Sequence, residues 1–216
     1  MDENKVSAEE LKEETKQTFN KVKDEIKDAN FKAETIEATN FVKNMFMDPI
    51  GAVKNVTNEV GPKLITVIIL VIGVMLSNLL KNIIWAVGIE SLGESLWKII
   101  TSLTGGLFVV LVPAFVAYLF NRNTDRSLLT SISLMAMASV PTIFMNVLGA
   151  VTRIVPKLAG TIGVLNNGLE VAHVVLTYFA LKTFCKAEDD LFIFKFVIIE
   201  LVSGFVMMLL RLLNVC

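Results

Sequence analysis

Residues 64–80, LITVIILVIGVMLSNLL, are seventeen consecutive residues without a charged side chain, bracketed by Lys63 and Lys81. Because an α-helix rises about 1.5 Å per residue, this stretch nearly spans a hydrocarbon core roughly 30 Å thick, and residues 83–89 can extend it. The residues before it are mostly polar, and those after it are mostly apolar. The sequence therefore predicts an integral membrane protein whose first span begins at residue 64.

The charge balance divides the 216-residue chain at the same place. Residues 1–63 contain ten lysines and thirteen acidic residues, whereas residues 64–216 contain ten basic and eight acidic residues. The chain lacks the clustered basic face that nucleic-acid binding requires, so no nucleic-acid partner is expected. Its two cysteines, Cys185 and Cys216, fit neither a metal-ligand nor a disulfide pattern. We expect no metal and no cofactor.

Four further apolar segments follow the first, and each is long enough to cross a bilayer with some tilt. The five predicted spans are residues 64–87, 99–121, 127–150, 159–183 and 191–213. Lys and Arg residues near the span ends favour a cytoplasmic N-terminus and an external C-terminus by seven to five. The predicted fold class is all-α: a polytopic helical bundle of the cell membrane, with about five transmembrane helices, behind an amphipathic helical cytoplasmic arm.

The predicted arm, residues 1–40, carries a narrow apolar stripe. Its members recur at helical spacing and are Thr15, Phe19, Val22, Ile26 and Ala29. So thin a stripe fits a solvated spacer helix, or a helix that docks onto a protein partner or a second copy of the chain. The sequence leaves both interpretations open.

Residues 41–63 form a juxtamembrane segment with its own helix signal. Asp48 is a good N-cap, Pro49 suits the first helical position, and Gly51 follows closely. Apolar residues then continue on one side of the segment. We expect a short amphipathic helix at the membrane surface that leads into the first span.

The run FMDPIG at residues 46–51, placed before five closely spaced spans, resembles the bacterial branch of the Yip (Ypt-interacting protein) domain family. The resemblance covers the chain from about residue 41 to its end. It implies a five-span bundle behind a cytoplasmic arm. In eukaryotic relatives this architecture is linked to small GTPases and vesicle traffic.

Ionisable residues at bilayer depth are costly and are therefore the best functional candidates. In the fourth predicted span, one polar helix face is formed by Asn166, Glu170, His173 and Thr177. Glu200, in the fifth span, needs a partner from another helix, for which His173 and Asn146 are candidates. These residues fit a proton or cation path, or an internal polar seam that holds the helices together.

Two prolines, Pro113 and Pro141, lie well inside the second and third predicted spans. Proline removes a backbone hydrogen bond and is expected to kink each helix. Such kinks are ordinary in membrane bundles and also serve transporters as hinges.

The chain contains no HExxH, no GxSxG and no phosphate-binding glycine loop, and it has a single histidine. We therefore expect a non-enzymatic adaptor or organiser of membrane processes, with residues 1–60 facing a protein partner. The alternative is a small transporter or channel subunit with a polar path along the fourth span. The lipid bilayer is the partner that the composition itself implies, and a second copy of the chain is a further candidate.

Overall fold

A computed structural model describes residues 16, 20, 36, 39–44, 47–55, 64–86, 92–121, 127–185, 189–213 and 215. The helices are α1 (Pro49–Asn55), α2 (Leu64–Ala86), α3 (Leu92–Phe120), α4 (Leu128–Ala138), α5 (Val140–Ile154), a 3₁₀ turn (Pro156–Leu158), α6 (Ala159–Cys185) and α7 (Asp189–Leu212). No strand occurs among the described residues. The predicted all-α fold class is confirmed. The apolar stripe of the arm lies outside the described residues.

Four helical segments are long and apolar enough to cross a membrane: Leu64–Ile83, Leu96–Phe120, Pro156–Cys185 and Phe192–Leu212. Helices α4 and α5 pass the same test only together, and they are bent by 40° at their junction. The third predicted span is therefore two helices rather than one. The described residues contain four such helices, or five spans when the bent pair is counted as one.

Helices α2 and α3 form a tight antiparallel pair. The side chain of Asn78 donates a hydrogen bond of 2.8 Å to the carbonyl of Ser102. Gly106 packs against the backbone of α2, because a Cβ atom built on this glycine would lie 2.6 Å from the Cα of Met75. Lipid provides no hydrophobic drive to bring helices together, so close backbone contact at small residues supplies much of their association energy.

Helix α5 runs parallel to α2. Ile143 lies against Gly73, and Gly149 lies against the aliphatic stem of Lys81. Residue numbers therefore increase in the same direction along both helices. The contact therefore places the last turns of α5 beside the C-terminal part of α2.

Helix α4 begins at the opposite end of the bundle. The hydroxyl of Ser131 donates 2.7 Å to the carbonyl of Ala114, in the C-terminal half of α3. Since α3 is antiparallel to α2, this contact lies toward the start of α2, whereas α5 finishes toward its end. The bent pair therefore runs from one end of the bundle to the other, as a single broken span does. A re-entrant loop would return to the side from which it entered.

Helix α1 packs against α6 and α4. Its Val53 is fully buried, and Phe41 and Val42 from the preceding residues pack against the same core. Pro49 and Ile50 share an apolar cleft with Pro141 of the broken span. The predicted short helix is thus present as α1, and its apolar side packs on the bundle. Its position at the membrane surface stays a prediction.

The close approach at Gly106 generates the first prediction. In Gly106→Ala the added methyl group meets backbone atoms that cannot rotate away, and we expect a loss of about 1–3 kcal/mol in the free energy of unfolding. Denaturant titration of the purified full chain in detergent measures it.

Gly163→Ala is the matched control, because a Cβ at Gly163 would meet nothing within 4 Å. An equal effect of the two substitutions would show that helix propensity, rather than the contact between α2 and α3, determines the result.

Candidate intramembrane site

The junction between α4 and α5 is a local consequence of Pro141. Proline has no N–H, so the regular hydrogen-bond ladder cannot continue through this position. The N–H of Thr142 instead bonds to the carbonyl of Ser139 at 3.0 Å. The hydroxyl of Ser139 turns back to the carbonyl of Met135 at 2.8 Å. Because the Thr142 N–H is directed to Ser139, the carbonyl of Ala138 is left without its helical donor.

His173 of α6 supplies the missing donor. Its Nδ1 atom lies 2.8 Å from the carbonyl oxygen of Ala138. A carbonyl only accepts, so Nδ1 carries the proton and Nε2 is left as an acceptor in the neutral ring or as a donor in the charged ring. The hydroxyl of Thr177 donates 2.8 Å to the carbonyl of His173. One side chain of α6 thus holds the broken span at its break.

An open cavity of about 400 Å³ with a mixed apolar and polar lining, here called the inner cavity, borders this junction. Its polar lining consists of Ser139, His173, Thr177, Glu200, Ser203 and Arg211. Glu200, from α7, is exposed at this open cavity and lines it together with His173. Of the two partners considered for Glu200, only His173 lines the same cavity. Asn146 instead donates 3.2 Å to Ser77 on α2.

The lining of the inner cavity contains further unsatisfied polar atoms. The buried hydroxyl of Ser203 has no hydrogen-bond partner among the described residues. Pro113 also borders the cavity, and its missing N–H leaves the carbonyl of Val109 without an i+4 donor. Buried polar groups of this kind are usually completed by water or by a ligand. The cavity is therefore suited to a polar occupant.

The predicted polar face of the fourth span divides into two parts. His173 and Thr177 face the inner cavity, whereas Glu170 is exposed on the surface of the bundle and does not line that cavity. Asn166 is half-buried, and its Oδ1 atom has no partner within the part of the chain that the structure describes. A continuous polar path along α6 is therefore not present, and the cavity is completed by α7 instead.

Asp48, Pro49 and Gly51 form a helix cap. The N–H of Gly51 donates 2.9 Å to the carboxylate of Asp48, which precedes α1. A side chain at Gly51 would meet that carboxylate. This arrangement explains the three residues by local structure, without a ligand.

Sequence reasoning missed a second cavity of about 450 Å³, here called the basic cavity, between α2, α3 and α7. Its lining includes Lys81, Lys98 and Arg211, which the sequence indicated only as charges at span ends. It shares Val109, Met207 and Arg211 with the inner cavity. The spacing of Asn78, Lys81 and Asn82 on one face of α2 is the signal that could have indicated it.

Within the described ranges, no group of three or more His, Cys, Asp or Glu side chains is placed to hold a metal ion. Comparison of the chain with known protein families, with characterised proteins and with solved structures found no match. The function must therefore be inferred from the geometry of the cavities.

The contact between His173 and the break generates the second prediction. His173→Phe keeps the ring but removes the donor, so the Ala138 carbonyl loses its partner. We expect a loss of about 1–3 kcal/mol in the free energy of unfolding in detergent.

A double-mutant cycle with Pro141→Ala supplies the control. Alanine restores an N–H at this position and allows a regular helix, in which Thr142 can donate to Ala138. The cost of His173→Phe should then fall by about 1 kcal/mol or more. An unchanged cost would mean that His173 stabilises the bundle by packing and not through the break.

Proposed function

We propose that this protein is a non-enzymatic, multi-pass protein of the cell membrane whose bundle passes a small polar solute or ion, as a small transporter or channel subunit. The observation that carries the proposal is the inner cavity, which His173 and Glu200 both line beside a broken span. An adaptor that acts through its arm is the second candidate.

The cost of ionisable groups in hydrocarbon supports this proposal. His173 lies near the middle of the span Pro156–Cys185, and Glu200 lies well inside the span Phe192–Leu212. Charged or titratable side chains at such positions are rare unless they pair or line a polar interior. Transporter sites are also commonly built where helices are interrupted at mid-depth.

The two cavities together give the inner cavity a route to one end of the bundle. Their shared residue Arg211 lies in the last turn of α7, beside Lys81 of α2. On the other side of His173, the side chains of Leu134, Leu181 and Phe184 are fully buried. A solute that enters from the Lys81 end therefore needs a movement of the bundle to leave at the other end. The 40° junction of α4 and α5 supplies a place for it.

The docking of α1 supports the second candidate, an adaptor or organiser of the kind that the Yip resemblance implies. With Val53 fully buried and Phe41 and Val42 packed against the same core, the segment that leads into α1 is anchored beside α4 and α6. A partner bound to residues 1–40 would thus be held at a defined position on the bundle. In this proposal the N-terminus is cytoplasmic and the C-terminus is external.

Two matched carboxylates test the first candidate. Glu200 lines the inner cavity and Glu170 does not. In proteoliposomes we expect Glu200→Gln to reduce proton or ion flux at least tenfold, because it removes the titratable carboxylate from the lining of the cavity. Glu170→Gln should leave the flux within about twofold of the unaltered protein. Flux that is absent from the unaltered protein, or equal in both variants, would contradict the transport proposal.

The second candidate is tested by crosslinking in native membranes. Deletion of residues 1–40 keeps the described contacts of Phe41, Val42 and Val53, so the bundle should remain folded. We expect a partner captured by the full chain to be lost from the shortened chain, while contacts between copies of the bundle persist. If both chains capture the same proteins, the arm is not the partner-binding part.

A further inference from the structure

The basic cavity combines charge with hydrogen-bond donors from three helices. Lys81 and Asn82 come from α2, Lys98 and Thr101 from α3, and Arg211 from α7. None of the described residues that line it is acidic. Cations that converge on one open space repel each other unless an anion lies between them. The composition of the lining therefore favours an anionic occupant.

Two of these cations are available to a ligand. Among the described residues, neither Lys81 nor Arg211 has an ion-pair partner. Lys98 already takes part in another interaction, so the inference does not depend on it. An ammonium and a guanidinium on facing helices can bind different oxygens of one tetrahedral anion, with the guanidinium offering two parallel donors.

The lining is held in place by contacts outside the cavity. The stem of Lys81 runs along Gly149 of α5, where a Cβ atom would lie 3.5 Å from the lysine Cε. The amide of Asn78 is fixed by its 2.8 Å bond to Ser102. These contacts reduce the conformational freedom that the cavity would lose on binding a ligand.

The position of the cavity within the spans indicates the source of the anion. Lys81 and Lys98 lie near adjacent ends of α2 and α3, and Arg211 lies at the end of α7. Trp97, next to Lys98, is exposed on the surface of the bundle. An exposed tryptophan among span-end cations is typical of the level of the lipid headgroups.

We propose that the basic cavity binds a phosphate group through Lys81 and Arg211. The group belongs either to the headgroup of an anionic phospholipid or to a soluble phosphate, and the headgroup fits the level of the cavity. This inference concerns a separate cavity and does not require that any solute passes through the inner one.

The test uses the full chain purified in neutral detergent. Binding of phosphatidylglycerol and of phosphatidylcholine is measured by native mass spectrometry. In a parallel arm, inorganic phosphate is compared with chloride at equal ionic strength by thermal unfolding. We expect phosphatidylglycerol to bind at least tenfold more tightly than phosphatidylcholine. Protection by inorganic phosphate alone would instead identify a soluble anion at the same residues.

The variant Lys81→Gln/Arg211→Gln should weaken whichever interaction is observed by about tenfold for each cation removed. Lys157→Gln/Lys195→Gln is the matched control. It removes the same charge from exposed residues that do not line the cavity. Lys81→Arg/Arg211→Lys keeps both charges and should retain binding, which separates loss of the site from misfolding. The proposal would be overturned if phosphatidylglycerol bound no more tightly than phosphatidylcholine and inorganic phosphate protected no better than chloride. Equal losses of binding in the test and control variants would overturn it as well.

The binding test is independent of the flux test. Glu200 does not line the basic cavity, so Glu200→Gln should bind phosphatidylglycerol normally even though its flux is reduced. Normal lipid binding by a protein without flux would leave this inference standing and reject only the transport function.

Discussion

In a bilayer no water reaches the backbone from the hydrocarbon side, so an interrupted helix is stable only when other protein groups complete its hydrogen bonds. Pro141 imposes this requirement on the third span. The ring of His173, from α6, meets it at the carbonyl of Ala138. The relative position of α4 and α6 is thereby set by a hydrogen bond as well as by packing, and the ring is held beside a cavity with one nitrogen still available.

The second proline extends the same constraint. Pro113 does not end α3, which continues from Leu92 to Phe120, yet it borders the inner cavity together with Ser139 of the break. Two interruptions of helical hydrogen bonding, on α3 and in the broken span, therefore border one space, and α7 forms its third side. Close packing there would bury the carbonyl of Val109, which Pro113 leaves without an i+4 donor. An open space instead lets water or a solute complete its hydrogen bonds.

Hydropathy predicted the described helices well, because spans of this length leave few alternatives for an apolar chain. Sequence reasoning also identified Pro141 as a kink and His173 as a candidate partner of Glu200. The prediction that Glu170 shares one polar site with His173 was wrong. Helical spacing shows which residues lie on one face of a helix, but it does not show which part of that face is covered by other helices. Sequence reasoning missed the basic cavity because Lys81 and Arg211 are 130 residues apart in the chain and only tertiary packing brings them together. The described residues do not include most of the arm, so its predicted docking role remains a prediction.

The position of α1 links the two proposed functions. Pro49 and Ile50 line an apolar cleft with Pro141, whereas His173 holds the other side of the same break through Ala138. Coupling between distant sites needs an element with two arrangements that both sites can bias. The junction of α4 and α5 borders both the cleft lined by α1 and the inner cavity. A partner that displaced α1 would therefore act on the break directly, and through His173 on the cavity, before it altered the packing of α2 against α3.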